Sequence, residues 1–398
     1  MTDPVHEIVP GALASGGGVP LAVPDIGDLE RKLVDESLQS GWVAYGPFVD
    51  RLEEEVRRLL DAEHAVAVAS GTAALHLALL ATGVRPGDEV VVSALTFISP
   101  AFAIRYAGAH PVFVDAERFY RQLDPGRLAD FLHGECEPTK AGLVRRVSGR
   151  RIGAIVPVHI LGHPADVDAV KALAVEFGIA VVEDAAQALG ASLRGRSAGA
   201  LADVGCLSFN GNKIVTAGSG GMVVTDDAAI AERARYLATQ AKDDPLEYVH
   251  GAIGFNYRLS NVHAALGYGQ LLRLDEFVTA KRRIAAAYAD GLDGIAGIAL
   301  PREAPDAFST SWLYTIHVHA DDYGASSRDL LARLLEAGIQ ARPLWQPLHR
   351  SPALVGSASP ACPVADELHR TGLSLPSSVT MTPSDQERVI ELIAQART

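Results

Sequence analysis

The feature that most constrains the fold is a regular alternation of short apolar runs with helical patterns up to about residue 225. The short runs are apolar throughout instead of alternating with polar residues, which is typical of strands in a sheet covered on both faces. Strands and helices that follow one another at this spacing predict parallel β-α-β units in a doubly wound sheet. The sequence therefore predicts an α/β fold with a mostly parallel central sheet.

The pattern of apolar and polar residues changes after residue 227. Long helical patterns dominate there, and a smaller unit of mixed strand and helix patterns follows. We place a domain boundary near residue 262, which gives a large domain with an N-terminal arm (1–262) and a small α/β C-terminal domain (263–398). The predicted strands are 64–70, 88–94, 110–115, 153–159, 179–184, 205–209 and 312–320, and the predicted helices are 71–83, 99–108, 164–178, 264–292 and 327–338.

Charge and cysteine usage exclude several classes of protein. The net charge of −13 argues against nucleic acid or an anionic membrane as the main partner. Cys136, Cys206 and Cys362 are scattered without C-x-x-C spacing, which indicates reduced thiols and no disulfide framework or zinc site; no other metal-ligand cluster is visible. No signal peptide opens the sequence and no apolar run reaches the roughly 18 residues of a membrane span, so we expect a soluble cytoplasmic protein.

Candidate functional residues follow three predicted strands at their carboxyl ends, where open α/β sheets bind ligands. At the first end, Ser70, Gly71 and Thr72 form a strand-to-helix turn. Free backbone N–H groups and the helix dipole make such a turn an anion site. A plain helix N-cap at this serine or threonine is an alternative explanation.

The second strand end carries Asp184, with Gln187 three residues further along a segment that is otherwise apolar. A carboxylate at the end of a hydrophobic strand is costly to bury unless a cation meets it. An N-cap role would explain Asp184 but would leave Gln187 unexplained.

The third strand end is the stretch "SFNGNKIVTAGSGG" (208–221), where Ser208 ends a strand and Lys213 precedes a glycine cluster. A single lysine in a loop is usually a solvated surface charge. An anion cradle, a carboxylate and a lysine at neighbouring strand ends, however, match the phosphate, the ring nitrogen and the aldehyde of pyridoxal phosphate. Phe97 is a candidate to stack on the ring, or else a core aromatic.

Seven stretches resemble the DegT-type nucleotide-sugar aminotransferases, which belong to the fold type I pyridoxal phosphate enzymes. They occur in the order of that family and span nearly the whole chain. The matching stretches are "SGTAALHLAL" (70–79), "LTFISPAFAI" (95–104), "VHILGHPADVD" (158–168), "EDAAQALGA" (183–191), "SFNGNK" (208–213), "GFNYRLSNVHAALGYGQLLRLD" (254–275) and "RPLWQPLH" (342–349).

The resemblance implies a role for each matching residue. Lys213 would carry pyridoxal 5'-phosphate covalently and act as the catalytic base, with Asp184 on the ring nitrogen and Gln187 on the phenolic oxygen. The phosphate ligands would be Gly71, Thr72 and Ser208, together with Asn256 from the neighbouring subunit, so each active site would need a homodimer. The sugar nucleotide would meet a loop formed by Trp42, Val43, Ala44 and Tyr45, and its diphosphate would meet Arg342.

The resemblance also implies an activity, which is transfer of an amino group from glutamate to a keto sugar. The stretches "SFNGNKIVT" and "QAKDDPLEYVH" (240–250) are most similar to the branch acting on UDP-linked 4-keto-6-deoxy-N-acetylhexosamines, on routes to bacillosamine and legionaminic acid. Many relatives have glutamate where this chain has Ser219, and some have tryptophan at Phe97, which leaves the substrate open. The alternatives are a GDP- or dTDP-linked sugar, a cyclitol, and a cofactor-binding regulatory protein.

Overall fold

The computed structural model describes residues 18–244, 246–357 and 360–396; most of the predicted N-terminal arm lies outside them. The strands are β1 (His64–Val68), β2 (Glu89–Ser93), β3 (His110–Val114), β4 (Cys136–Thr139), β5 (Gly142–Arg145), β6 (Arg150–Val156), β7 (Ala180–Asp184), β8 (Ser192–Leu193), β9 (Arg196–Ser197), β10 (Val204–Ser208), β11 (Gly221–Thr225), β12 (Lys242–Asp244), β13 (Val249–His250), β14 (Ile298–Ala299), β15 (Ala307–Phe308), β16 (Thr315–Val318), β17 (Arg342–Pro343) and β18 (Gly372–Ser374). The α-helices are α1 (Asp28–Gln39), α2 (Pro47–Leu60), α3 (Gly71–Ala81), α4 (Ser99–Tyr106), α5 (Pro125–Glu135), α6 (Val167–Phe177), α7 (Ala228–Ala238), α8 (Asn261–Leu271), α9 (Leu274–Leu292), α10 (Ala320–Tyr323), α11 (Ser327–Glu336), α12 (Pro363–Thr371) and α13 (Pro383–Gln395).

The central sheet is mostly parallel, and its strands run in the order β1-β11-β10-β7-β6-β2-β3. Within this path, β11 is antiparallel to both of its neighbours, while β10, β7, β6, β2 and β3 pair in parallel. Every residue of β2 and of β11 is buried, as expected for strands covered on both faces. The predicted α/β fold with a mostly parallel sheet is confirmed.

The predicted helix over residues 264–292 is wrong as a single element, because the structure has two helices, α8 and α9. Arg273 separates them with a non-helical backbone conformation (φ −107°, ψ 10°). Its guanidinium forms ion pairs with Asp25 at 2.6 Å and with the fully buried Glu30 at 3.0 Å. A break at this point lets α8 pack against α1 and α2 while α9 runs towards α13.

A smaller sheet, which is antiparallel and has the strand order β14-β16-β18-β17, lies in the C-terminal part of the chain. It has its own core, to which the second half of α9 contributes Ile284 and Tyr288. The first half of α9 instead contributes Leu274 and Phe277 to the core around the central sheet. The domain boundary near residue 262 stays a prediction.

Two features are absent from the described residues. None of the helices there is both long and apolar enough to cross a membrane. In the same residues, no group of three or more His, Cys, Asp or Glu side chains is placed to hold a metal ion.

Candidate active site

A cavity of ≈ 320 Å³ opens where the predicted strand ends meet. It lies beside the carboxyl ends of β1, β7 and β10, together with the first turn of α3. The sequence-predicted residues that line it are Ser70, Gly71, Thr72, Phe97, Asp184, Gln187, Ser208 and Lys213. We call this cavity the cleft.

One end of the cleft is the N-terminus of α3. Ser70 is the N-cap, and its hydroxyl accepts a hydrogen bond from the N–H of Ala73 at 3.1 Å, so the capping interpretation of Ser70 is correct. The following residues, Gly71 and Thr72, lie in the first turn, whose N–H groups have no acceptor within the helix. A Cβ at Gly71 would lie 2.7 Å from the Cβ of Ser208, so only glycine allows the helix to begin this close to β10. The arrangement suits a phosphate group.

Lys213 enters the cleft from the loop that follows β10. Its ammonium lies 4.3 Å from the centroid of the Trp312 ring, and the Trp312 indole N–H donates to the carbonyl of Asn212 at 2.9 Å. Burial lowers the pKa of Lys213 to about 8, and the negative charge of Asp184 opposes this shift only in part. The side chain is therefore poised to act as a free amine, as a Schiff-base lysine must.

Asp184 ends β7 and is only 4% exposed. One carboxylate oxygen accepts the N–H of Ala186 at 3.0 Å, and no other side-chain hydrogen bond to Asp184 occurs among the described residues. Burial raises the pKa of Asp184, while the Ala186 hydrogen bond and the charge of Lys213 oppose the rise. A carboxylate in this state is stabilised by a cationic partner in the cleft, such as a protonated ring nitrogen.

Gln187 is held from behind by the backbone. Its side-chain oxygen accepts a hydrogen bond from the N–H of Leu161 at 2.9 Å. The amide NH₂ group remains as a hydrogen-bond donor for a ligand. Leu161 has a positive φ of 61°, an uncommon conformation for a residue with a branched side chain. The anchored amide suits a hydrogen bond to an anionic oxygen on a ligand.

His159 and Glu183 support the cleft without lining it. Both are fully buried, and the His159 Nε2–H donates to Glu183 at 2.7 Å because its Nδ1 accepts the N–H of Ala165. Glu183 also accepts the backbone N–H groups of Leu201 and Ala202 at 2.6 and 3.0 Å. This carboxylate fixes the chain beneath β7 and so holds the adjacent Asp184 in place.

The remaining predicted residues do not line the cleft formed by the described residues of one chain. Asn256 is exposed, and the side chains of Trp42 and Tyr45 are 65% and 55% exposed. Arg342 is half-buried and donates to the carbonyl of Ala341 at 3.0 Å. The roles predicted for these residues, and for Val43 and Ala44 between them, stay predictions.

Sequence reasoning missed several residues that line the cleft. Trp312 and Trp345 come from the C-terminal third of the chain, where one opens a predicted strand and the other lies in a Pro-rich loop. An aromatic residue in such a pattern looks like ordinary core. The polar lining that was also missed consists of Ser99, Asn210, Asn212 and Ser219.

Comparison with known proteins places the chain in a family. The model of the DegT/DnrJ/EryC1/StrS aminotransferase family matches residues 24–394. The chain belongs to this family. EpsN of Bacillus subtilis strain 168, named as a pyridoxal phosphate-dependent aminotransferase, is 38% identical over 378 residues, which are 94% of each chain.

Two further proteins are similar to this DegT-family chain over nearly their whole lengths. GDP-perosamine synthase of Caulobacter vibrioides is 34% identical over 380 residues, covering 95% of this chain and 98% of that protein. The crystal structure of DesI in the presence of its TDP-sugar product has a TM-score of 0.85 and 29% identity, over 96% of this chain and 93% of DesI. The protein is therefore an aminotransferase with the fold type I architecture.

Aminotransferases of this family depend on pyridoxal phosphate. The residues of the cleft fit that cofactor, because the α3 N-terminus offers N–H donors to a phosphate and Asp184 offers a carboxylate without a cationic hydrogen-bond partner. The cavity volume of ≈ 320 Å³ accommodates a flat phosphorylated ring of this size.

The pKa of Lys213 predicts how cofactor capture depends on pH. At about pH 7.5, a lysine of ordinary pKa holds roughly 0.1% of its amine uncharged, whereas a pKa of about 8 leaves roughly a quarter uncharged. We expect the rate at which cofactor-free enzyme captures pyridoxal phosphate to rise with pH and to level off above about pH 8. Stopped-flow absorbance measures this rate, with N-acetyl-lysine methyl ester as the control amine. A rate that keeps rising in parallel with the control would contradict the lowered pKa.

Proposed function

We propose that this aminotransferase moves the amino group of glutamate to the C4 ketone of a nucleotide-linked 4-keto-6-deoxy sugar. The substrate we favour is UDP-2-acetamido-2,6-dideoxy-hexos-4-ulose, and the product would enter surface polysaccharide or glycan biosynthesis. The observation that carries the aminotransfer chemistry is the convergence of Lys213, Asp184 and the α3 N-terminus on one cleft. The choice of sugar rests on the sequence resemblance of residues 208–216 and 240–250.

In the proposed mechanism, the chain binds the cofactor and moves protons. When bound, pyridoxal phosphate supplies a ring that accepts electrons from the carbon next to the transferred nitrogen. Asp184 would favour the protonated ring nitrogen that this requires, and Gln187 would donate to the phenolic oxygen. Lys213 Nζ takes the proton from Cα of glutamate in the first half-reaction and delivers a proton to C4 of the sugar in the second. Glutamate leaves as its 2-oxo acid, so one ketone is consumed and one is formed.

The substrate proposal is tested by offering a matched set of sugars. Purified enzyme with glutamate receives UDP-, GDP- and dTDP-linked 4-keto-6-deoxy sugars, and coupled detection of 2-oxoglutarate reports turnover. We expect kcat/KM for the UDP-linked N-acetyl sugar to exceed the others by at least about tenfold, the smaller end of what a well-placed contact provides. A preference for a GDP- or dTDP-linked sugar would refute the substrate and leave the aminotransferase chemistry intact.

The proposed shared active site is supported by the surface around Asn256. Three apolar side chains near it in sequence are strongly exposed: Leu246 by 86%, Tyr248 by 67% and Ile253 by 89%. Large apolar side chains left exposed on one short segment are a feature of interaction surfaces. Asn261 follows closely in the sequence and holds the loop that contains Trp42, since its amide donates to the carbonyl of Trp42 at 2.7 Å. We propose that a second copy covers this surface and that Asn256 reaches the partner's cofactor phosphate.

Mixed dimers test this arrangement. A dimer of Lys213→Ala with Asn256→Ala has one site in which both residues are intact, supplied by different subunits. Random pairing of equal amounts makes about half of the dimers mixed, so we expect about 25% of wild-type activity from two nearly inactive parents. Each variant coexpressed with itself is the control. Activity no higher than the average of the two parents would contradict a shared site.

A further inference from the structure

A second cavity, separate from the cleft, contains a buried arginine without a partner. Arg121 lies in the loop between β3 and α5, with a positive φ of 69°, and is only 7% exposed. Its side chain makes no hydrogen bond or ion pair with any described residue, and its Nε is buried without an acceptor. A buried charge without a partner is strongly destabilising.

The carboxylate whose charge acts on Arg121 already accepts hydrogen bonds from the backbone. Glu117 interacts electrostatically with Arg121, but its oxygens accept the N–H groups of Phe119 at 2.7 Å and Tyr120 at 2.6 Å. Burial lowers the pKa of Arg121 to about 10, which leaves the guanidinium charged at neutral pH. The described part of the chain therefore brings a positive charge into the interior without neutralising it by direct contact.

The cavity that Arg121 lines has a volume of ≈ 250 Å³. Two further arginines line it: Arg282 is paired with Glu303 at 2.8 Å, and the exposed Arg302 has no ion-pair partner among the described residues. Three guanidinium groups thus face one carboxylate in the lining. The hydroxyl of Tyr314 also lines the cavity and lacks a hydrogen-bond partner, and burial raises its pKa to about 12, so it is a donor.

The other walls of the cavity are apolar. Leu161, Leu313 and Pro301 face the same space as the arginines. His163 adds no free charge, because its ring nitrogens are engaged by the carbonyl of Pro164 and the N–H of Ala304. A ligand that complements both the arginine side chains and the apolar side chains has an oxyanion at one end and a short carbon skeleton at the other.

We propose that this cavity is a binding site for a small organic anion, whose carboxylate or phosphate group is held by Arg121 with help from Arg302 and Tyr314. A guanidinium binds either group through paired hydrogen bonds. The site is distinct from the cleft, with which it shares no lining residue. Both lie against the same segment, because Leu161 lines this cavity while its N–H holds Gln187 in the cleft.

The test measures anion binding to the cofactor-loaded enzyme. Malonate, phenyl phosphate and inorganic phosphate are titrated at ionic strength matched with chloride, while the visible absorbance of the bound cofactor is monitored to exclude displacement at the cleft. We expect a saturable rise in melting temperature and a matching calorimetric titration with at least one probe. The probe that binds identifies the group, since malonate reports a carboxylate, phenyl phosphate an organic phosphate and inorganic phosphate the bare ion.

Three variants assign the effect to this cavity. Arg121→Met removes the charge but keeps the length of the side chain, so we expect at least tenfold weaker binding and a higher melting temperature without anion. Arg302→Gln, at the exposed rim, is expected to weaken binding several-fold and serves if the first variant does not fold. Arg283→Met changes an exposed arginine on the same helix as Arg282, outside the cavity, and is the matched control. Anion stabilisation that is absent in the wild type, or equal in all variants, would overturn the proposal.

Discussion

Replacement of Lys213 by alanine is expected to lower kcat by a factor on the order of 10³ or more, since proton transfer by a positioned group contributes up to about 10⁴-fold. The same change removes the amine that would join the cofactor, so the visible absorption band of the protein-linked cofactor should vanish as well. The fold should not suffer, because the lost ammonium is one whose charge burial already disfavours. Steady-state turnover, absorbance and thermal unfolding measure the three effects.

Two matched lysine variants make this result specific. Lys213→Arg keeps a positive charge in the cleft but cannot form the covalent link, so it should be as inactive as the alanine variant. Lys171→Ala changes a lysine that is paired with Asp203 at 3.3 Å and does not line the cleft, and it should leave kcat near the wild-type value. Retained activity in Lys213→Ala would show that another group does the proton transfer.

The second large effect is expected from Asp184→Asn, which keeps the shape and the acceptor for the Ala186 N–H but removes the charge. Without the carboxylate, the ring nitrogen is no longer held protonated, and kcat should fall on the order of 10²-fold, the loss typical of removing one electrostatic contact to the reacting system. Capture of the cofactor should survive. Because the charge of Asp184 raises the pKa of Lys213, its removal lowers that pKa further and leaves more free amine at a given pH.

This split between capture and turnover distinguishes an electrostatic role from a structural one. If Asp184 had only a structural role, Asp184→Asn would lower cofactor capture, turnover and thermal stability together. Asp130→Asn, on the exposed face of α5, is the matched control and should change neither quantity. If Asp184→Asn captured cofactor slowly but turned over normally, the proposed role on the ring nitrogen would be wrong.

Much of the fold could be predicted because the buried strands are continuous apolar runs bounded by glycine, proline or polar residues. Where a strand or helix was predicted, its observed bounds differ from the predicted ones by at most three residues, except at the break between α8 and α9, whereas helices such as α1, α2 and α5 were not predicted. That break has no local signal, since Leu272 and Arg273 are both compatible with a helix. It is set by ion pairs from Arg273 to Asp25 and Glu30, which are distant in sequence.

The residues of the candidate site also differ in how well the sequence predicts them. Residues at the ends of parallel strands, such as Asp184 and Lys213, were predictable because the topology brings strand ends to one edge of the sheet. Trp312 and Trp345 were not, because they come from elements whose position over the cleft depends on the packing of the C-terminal sheet. Arg121 gave no signal either, since its burial depends on loops that come together only in the folded chain.

The most direct test of the account is to identify the residue that carries the cofactor. The purified enzyme is loaded with pyridoxal phosphate, reduced with borohydride so that the link becomes permanent, digested, and mapped by mass spectrometry. We predict one modified peptide, with the pyridoxyl group on Lys213 and none on the other lysines. Modification of a different lysine, or of none, would contradict the central claim.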